Sequence, residues 1–209
     1  MWWRKRLGSL VPAALTGDIG TAGEILTLDI GLPDTGLVAA AVAAWAAQMT
    51  DLQSFDVAIS DKALADLARD GLVAPWAPLR VEAQGSLTDL SARLDTALAE
   101  RVRRVGFASD LPHRAPELAA PAVPAIGLSA GAGHVAGTAL TVDMDRGALS
   151  FDSGRLSPDR AALLAARLSM VLGAEAETRL DALPTLTGAE RDAVLDRWNA
   201  TDKEHDRAL

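Results

Sequence analysis

The chain contains no cysteine. Disulfides, thiol catalysis and cysteine-ligated zinc are excluded with it, and a reducing cytoplasm is the expected compartment. Tyrosine is also absent and aromatic residues make only 4% of the sequence, so neither a base-stacking platform nor a sugar-binding cleft is suggested. Positive charge is in deficit: 20 Lys and Arg stand against 28 Asp and Glu, a formal net charge of −8. Such a chain is repelled by nucleic acid and by anionic lipid, and neither is expected as a partner. No apolar run approaches the ~20 residues that span a bilayer. The Ala-rich stretch 37–47 reads instead as a buried helix. The apolar run 10–15 is short and interrupted by Pro12, which argues against a secretion signal.

What is present suits a globular chain. Hydrophobic residues make 49% of 209, enough for one good core or two small ones sharing an interface. Residues 23–30 alternate Ile25, Thr27 and Asp29 with Leu26, Leu28 and Ile30, the pattern of a half-buried strand. Pro33 and Asp34 open an all-round apolar helix over 35–49, which must lie under other elements. A strand at 55–60 and a short helix at 61–69 ended by Gly71 follow. Pro75 and Pro78 bar a central strand before Leu79, so residues 71–81 are expected at an edge or in a bend. Ser86 caps a helix over 86–105 with Leu87, Leu90, Leu94, Leu98 and Val102 inward, and Arg101, Arg103 and Arg104 stand at its negative end, where they complement the dipole and aid solubility or else form an anion patch. A strand at 125–129 precedes a hairpin, 138–144 with 148–152, that turns at Asp145-Arg146-Gly147. Ser157-Pro158 then starts a helix to 172 whose face Leu163, Leu164, Leu168 and Val171 packs on the sheet.

The last stretch, 183–202, reads LPTLTGAERDAVLDRWNATD. Thr187 and Glu190 have the spacing of a capping box, in which each side chain satisfies the other's free backbone donor. Val194, Leu195 and Trp198 then give a short helix one sticky face. This stretch resembles the signature that joins a condensation domain to the following adenylation domain in nonribosomal peptide synthetases, L-P-L-L-T-x-x-E-R and then W-N-x-T. Two further segments agree with that family. Gly71, Pro78, Leu79, Arg80 and Val81 match G-x-x-x-N-T-L-P-L-R-V, with Pro75-Trp76 in place of its N-T pair. Asp110, Leu111 and Pro112 match H-Q-D-L-P-F, with His113 where Phe is usual. Residues 3–7 look like the remnant of a Y-W-x-x-x-L segment that ends the N-terminal lobe.

The resemblance implies an α/β fold: one chloramphenicol-acetyltransferase-like half-domain, a mixed sheet with helices on one face, plus a C-terminal linker helix. Residues 1–20 would be an amphipathic N-terminal segment, 21–180 the condensation-like C-terminal lobe, and 181–209 the linker and tail. The implied partners are the adenylation domain after the linker, and also a carrier protein or a trans-acting tailoring enzyme. No cofactor is expected on this chain itself; phosphopantetheine would come on a partner carrier protein. Leu183, Leu186, Val194, Leu195 and Trp198 are the residues expected to dock the linker and its partner.

Two departures set the functional expectation. The family's catalytic motif H-H-x-x-x-D-G is carried by none of the three histidines, His113, His134 and His205. Between the strands at 125–129 and 138–144 the chain spends about eight residues, where the family runs a long excursion that covers its substrate tunnel. A non-catalytic platform or interaction domain is therefore expected, with an excised half of a catalytic, amide-forming condensation domain as the alternative. An unrelated free-standing α/β enzyme finds little support. His113 with Asp110 reads as an exposed loop pair, His134 lacks ligand partners, and Ser129 and Ser153 lack G-x-S-x-G. Gly131-Ala132-Gly133 is no phosphate loop, since no lysine follows. Asp143, Asp145 and Asp152 are expected to serve the hairpin turn and a solvated face.

Overall fold

Residues 54–61 put Phe55, Val57 and Ile59 on one side of the chain and Asp56, Ala58 and Ser60 on the other, and all six are buried. That two-sided burial is what the centre of a sheet requires. The computed structural model describes residues 2–15, 20–33, 36–104, 106–115, 118 and 122–199; the expected helix opening at Asp34 and the tail with His205 lie outside them. Among the described residues six strands form one mixed sheet: β1 (Ile25–Asp29), β2 (Ser54–Asp61), β3 (Ala77–Glu82), β4 (Ile126–Ala130), β5 (Leu140–Asp143) and β6 (Ala148–Asp152). Their order is β1-β6-β5-β4-β2-β3. The central trio β2, β4 and β5 is parallel, and the outer pairings β2–β3, β5–β6 and β6–β1 are antiparallel.

Both edges follow from composition. In β1 the exposed Ile25, Thr27 and Asp29 alternate with half-buried Leu26 and Leu28, as the alternation predicts for a strand wetted on one face. Pro78, which cannot donate a ladder bond, lies in edge strand β3 opposite Ala58. The β5–β6 hairpin closes at Gly147, whose φ of 63° is costly for any residue with a Cβ.

The helices α1 (Trp2–Gly8), α2 (Val38–Thr50), α3 (Lys62–Leu67), α4 (Leu87–Val102), α5 (Leu111–Arg114), α6 (Pro158–Leu172) and α7 (Gly188–Asn199) complete the fold. Helix α2 is buried on nearly all sides, between α4 and α6 and against the sheet, with Trp45 at 0% exposure. Ser86 and Asp89 form a full capping box on α4, and Ser157 caps α6 by accepting from Arg160 N. Leu87, Leu90 and Leu94 of α4 join Leu164, Leu168 and Val171 of α6 in one core with the apolar sheet face.

Two inward assignments, Val102 and Leu163, are corrected, and Arg101 turns inward in place of the first. Each residue turns a helix by about 100°, so spacing by four drifts about 40° per step. Leu98 still reaches the core edge, but Val102 has rotated out to 64% exposure. Seven residues after Leu94 the drift is only about 20°, and there Arg101 stands, inward and 7% exposed, so it does not serve solubility as expected. Leu163 likewise faces outward, 36% exposed beside the buried Leu164.

The opposite sheet face is polar where it is buried. Asp56, Ser60, Ser129, Thr141, Asp143, Ser150 and Asp152 all lie below 9% exposure. A second, smaller cluster covers one end of that face: Leu7, Ala58, Trp76, Phe107 and Val135, with Trp3 against Phe107. Residues 2–15 are thus part of this lobe. Arg6 and Arg80 both pair with the fully buried Asp56, Val11 N donates to Asp56 Oδ2 at 2.7 Å, and Ala125 N donates to Ala13 O at 2.7 Å.

Candidate functional site

The C-terminal stretch expected to be a linker attaches to the lobe in three steps, each dictated by a local residue choice. After α6 the chain runs beside the start of α4, where Leu87 N donates to Thr178 O at 3.1 Å and Leu180 N to Gly85 O at 2.9 Å. A single 3-10 turn, Leu180–Ala182, then drops Leu183 into the core at 4% exposure, and the Gln48 amide reaches its carbonyl at 3.5 Å. Pro184 follows and keeps the residue before it extended, which lets the next helix start afresh.

That helix begins as its spacing predicts. Glu190 N donates to Thr187 Oγ1 at 3.2 Å and Thr187 N donates to Glu190 Oε2 at 2.9 Å, a complete capping box. The structure adds a partner that the spacing could not reveal: Arg167 of α6 grips the same carboxylate through both nitrogens of its side-on edge, Nε at 3.1 Å and Nη2 onto the other oxygen. Its hydrogen bond to Arg167, with those from Thr187, holds Glu190 down at about 2 against a partial desolvation that pushes the other way. One carboxylate therefore caps α7 and ties it to α6.

Beyond this latch α7 stands away from the lobe. Every described side chain from Arg191 to Trp198 is exposed, with Val194 at 52%, Leu195 at 55% and Trp198 at 78%. The five expected docking residues thus divide: Leu183 is spent on this lobe's own core, Leu186 sits at its margin at 37% exposure, and the other three present an apolar surface outward.

The candidates for chemistry are placed as follows. His113 is exposed, and Asp110 pairs with Arg114 at 2.8 Å instead of orienting the imidazole. His134 Nδ1 lies 3.1 Å from Ser150 Oγ, a hydroxyl–imidazole pair that sequence reasoning missed because sixteen residues and a change of element separate the two. Burial pushes the imidazole below its usual value of 6.5, so it is neutral at pH 7. Ser150 is itself buried in the sheet face and turned toward the Thr141 carbonyl at 3.4 Å, the arrangement of a strut and not of an open nucleophile. Among the described residues no group of three or more His, Asp or Glu is placed to hold a metal ion.

Two hairpin carboxylates are corrected from solvated to buried. Asp143 accepts from Gly131 N at 3.2 Å and Gly133 N at 3.1 Å, and Asp152 from Gly23 N at 2.6 Å and Gly154 N at 2.9 Å. The glycine cluster is therefore a nest for the chain's own Asp143, with Gly131 and Gly133 at φ of 72° and 76°. The segment 131–139 joins two parallel neighbours, β4 and β5, without a helix. It crosses back over the polar face pinned by Val135 N to Thr141 Oγ1 at 3.0 Å. Of the arginine group at the end of α4, Arg101 pairs with Asp61 at 2.5 Å and Arg104 lies 4.9 Å over the Trp2 ring.

No protein-family model matches the chain, and neither does any curated protein sequence. Solved structures do match. The starter condensation domain of rhizomide synthetase in complex with C8-CoA is similar with a TM-score of 0.61 at 16% identity, over 88% of this chain and 53% of that one. The X-domain from teicoplanin biosynthesis is similar with a TM-score of 0.58 at 21% identity, over 88% and 56%. The complex of the X-domain and OxyB matches at 0.57 and 19%, over 89% and 55%. This chain spans about half the length of each of these structures. The fold of this chain is that of half a condensation-like domain, a six-stranded mixed sheet with its main helical layer on one face.

Proposed function

We propose that this chain is a non-catalytic, condensation-like domain of a nonribosomal peptide synthetase, and that it serves as a rigid base for an adenylation domain. The observation that carries the reading is the state of the linker helix. Its root is fastened by Leu183 and by the Arg167–Glu190–Thr187 latch, and its far half offers Val194, Leu195 and Trp198 to a partner. A helix held at one end with a mainly aliphatic and Trp face outward suits a docking role, since buried aromatic and aliphatic anchors dominate interface energies. The missing H-H-x-x-x-D-G motif and the short 131–139 connection speak against peptide-bond formation by this chain alone.

A calorimetric titration of the purified chain with the synthetase's adenylation domain tests this. Binding that Leu195→Ala or Trp198→Ala weakens at least about tenfold, roughly 1.4 kcal/mol, is the expected result. Absence of binding by a well-folded chain would remove the platform reading. A partner working in trans is the second reading, favoured by one observation: the X-domain of similar fold forms a complex with OxyB. The alternative of an excised catalytic half would be supported instead if a separately supplied N-terminal lobe restored amide formation.

A further inference from the structure

Helix α7 meets the lobe at its first turn. Of the described residues 188–198, every one is exposed except Glu190. The helix has 12 residues and is about 18 Å long at 1.5 Å per residue. Trp198 therefore stands roughly 15 Å beyond Gly188, and a tilt of about 20° at the base would carry it through roughly 5 Å. That displacement exceeds the about 4–4.5 Å within which apolar side chains touch. A surface held out on so long an arm suits a partner only if the base is stiff.

The stiffness comes from one carboxylate pinned from two sides. On the helix side, Glu190 Oε2 accepts from Thr187 N at 2.9 Å and from Thr187 Oγ1 at 3.0 Å, which fixes the carboxylate relative to α7. On the lobe side, Arg167 meets it through Nε at 3.1 Å and through Nη2 onto Oε1. Two parallel hydrogen bonds between planar groups fix their relative orientation as well as their distance. The third nitrogen of Arg167, Nη1, lies 3.9 Å from Met49 Sδ of α2, so the guanidinium is braced at every nitrogen. The chain between Leu183 in the core and Thr187 at the cap supplies little stiffness of its own. Pro184, Thr185 and Leu186 belong to no helix or strand, and the last two are exposed.

We propose that Arg167 and Glu190 are positioning residues for docking: together they set the direction in which α7 holds out Val194, Leu195 and Trp198, without themselves touching the partner. The capping box and the ion pair divide the task, the first keeping α7 helical and the second keeping it aimed. An aimed helix binds more tightly because its partner does not have to order it first. The proposal rests on the platform reading for the identity of that partner. The direction of α7 is a property of this chain alone and is measured without one.

Because the chain has no cysteine, nitroxide labels introduced by Asp95→Cys on α4 and Asp196→Cys on α7 report that direction by electron–electron double resonance without background. The parent chain is expected to give one narrow distance distribution. Arg167→Met, which removes the fork, and Glu190→Gln, which can still close the capping box, are each expected to at least double its width. In calorimetric titration with the adenylation domain, each is expected to weaken binding about fivefold, with a thermal unfolding midpoint close to that of the parent. The double variant is expected to lose no more than either single one, since both act through one pair. An unchanged width in both variants, or undiminished affinity in both, would overturn the positioning assignment. If the parent shows the narrow distribution but does not bind the adenylation domain, the aim of α7 stands and the platform reading falls.

Discussion

The side chains that decide most in this molecule are charged ones held out of water. Asp56 is fully buried between Arg6 and Arg80, and it also receives Val11 N, so one carboxylate ties the N-terminal segment to the polar sheet face. Asp56→Ala leaves two partly buried guanidinium groups facing each other, and a loss of about 3 kcal/mol is expected in chemical denaturation with the m-value unchanged. Glu190 offers a test by pH. Its folded value is about 2 against an ordinary 4.5, so its contribution is fully present above about 4.5 and is lost as the pH falls toward 2. Carbon-13 NMR of the Glu190 carboxyl is expected to show a midpoint near 2, moving back toward 4.5 in Arg167→Ala. Because both side chains keep some solvent contact, the latch itself is worth about 1 kcal/mol and not the full shift.

At the scale of elements, what was legible depended on whether a signal is local. The Ser86 cap of α4, the capping box of α7 and the Gly147 turn need only neighbours in sequence, and they form where the residues say. The edge position of β3 was legible from its prolines, since proline cannot donate to a ladder. The inward assignment of Val102 failed because a spacing-by-four pattern rotates off a straight face over three steps, which brings Arg101 inward in its place. The stretch 183–195 shows how two leucines of similar appearance differ in role. Leu183→Ala is expected to destabilise the lobe by about 2–4 kcal/mol through the cavity it leaves, whereas Leu195→Lys on exposed α7 should stay within about 0.5 kcal/mol in thermal unfolding. The same Leu195→Lys protein is expected to lose adenylation-domain binding, which separates docking from folding.

For the whole molecule the decisive arrangement is a sheet with unlike faces. One face carries the apolar helical layer, and the other buries serine, threonine and aspartate under residues 2–15 and 131–137. The connection 131–139 serves as a strap that closes the polar face, with Asp143 organising its glycines. That face is satisfied internally: each buried aspartate of the sheet has backbone donors or arginine partners. Incubated alone with carrier-bound aminoacyl thioesters, the chain is expected to yield no amide product by mass spectrometry. Amide formation would restore the catalytic reading.

The sequence by itself determined the class of the fold, the capping of its helices and the absence of the H-H-x-x-x-D-G pattern, because each of these rests on residues near one another in the chain. Only the tertiary structure decided that Arg167 closes the Glu190 latch, that Asp143 and Asp152 are buried organisers, that His134 meets Ser150, and that Arg101 is buried against Asp61. The reason is physical. A buried charge or hydroxyl is placed by whichever partner the fold brings within about 3 Å, and the partners that pin these groups across elements lie from ten to well over a hundred positions away, beyond the reach of any local periodicity.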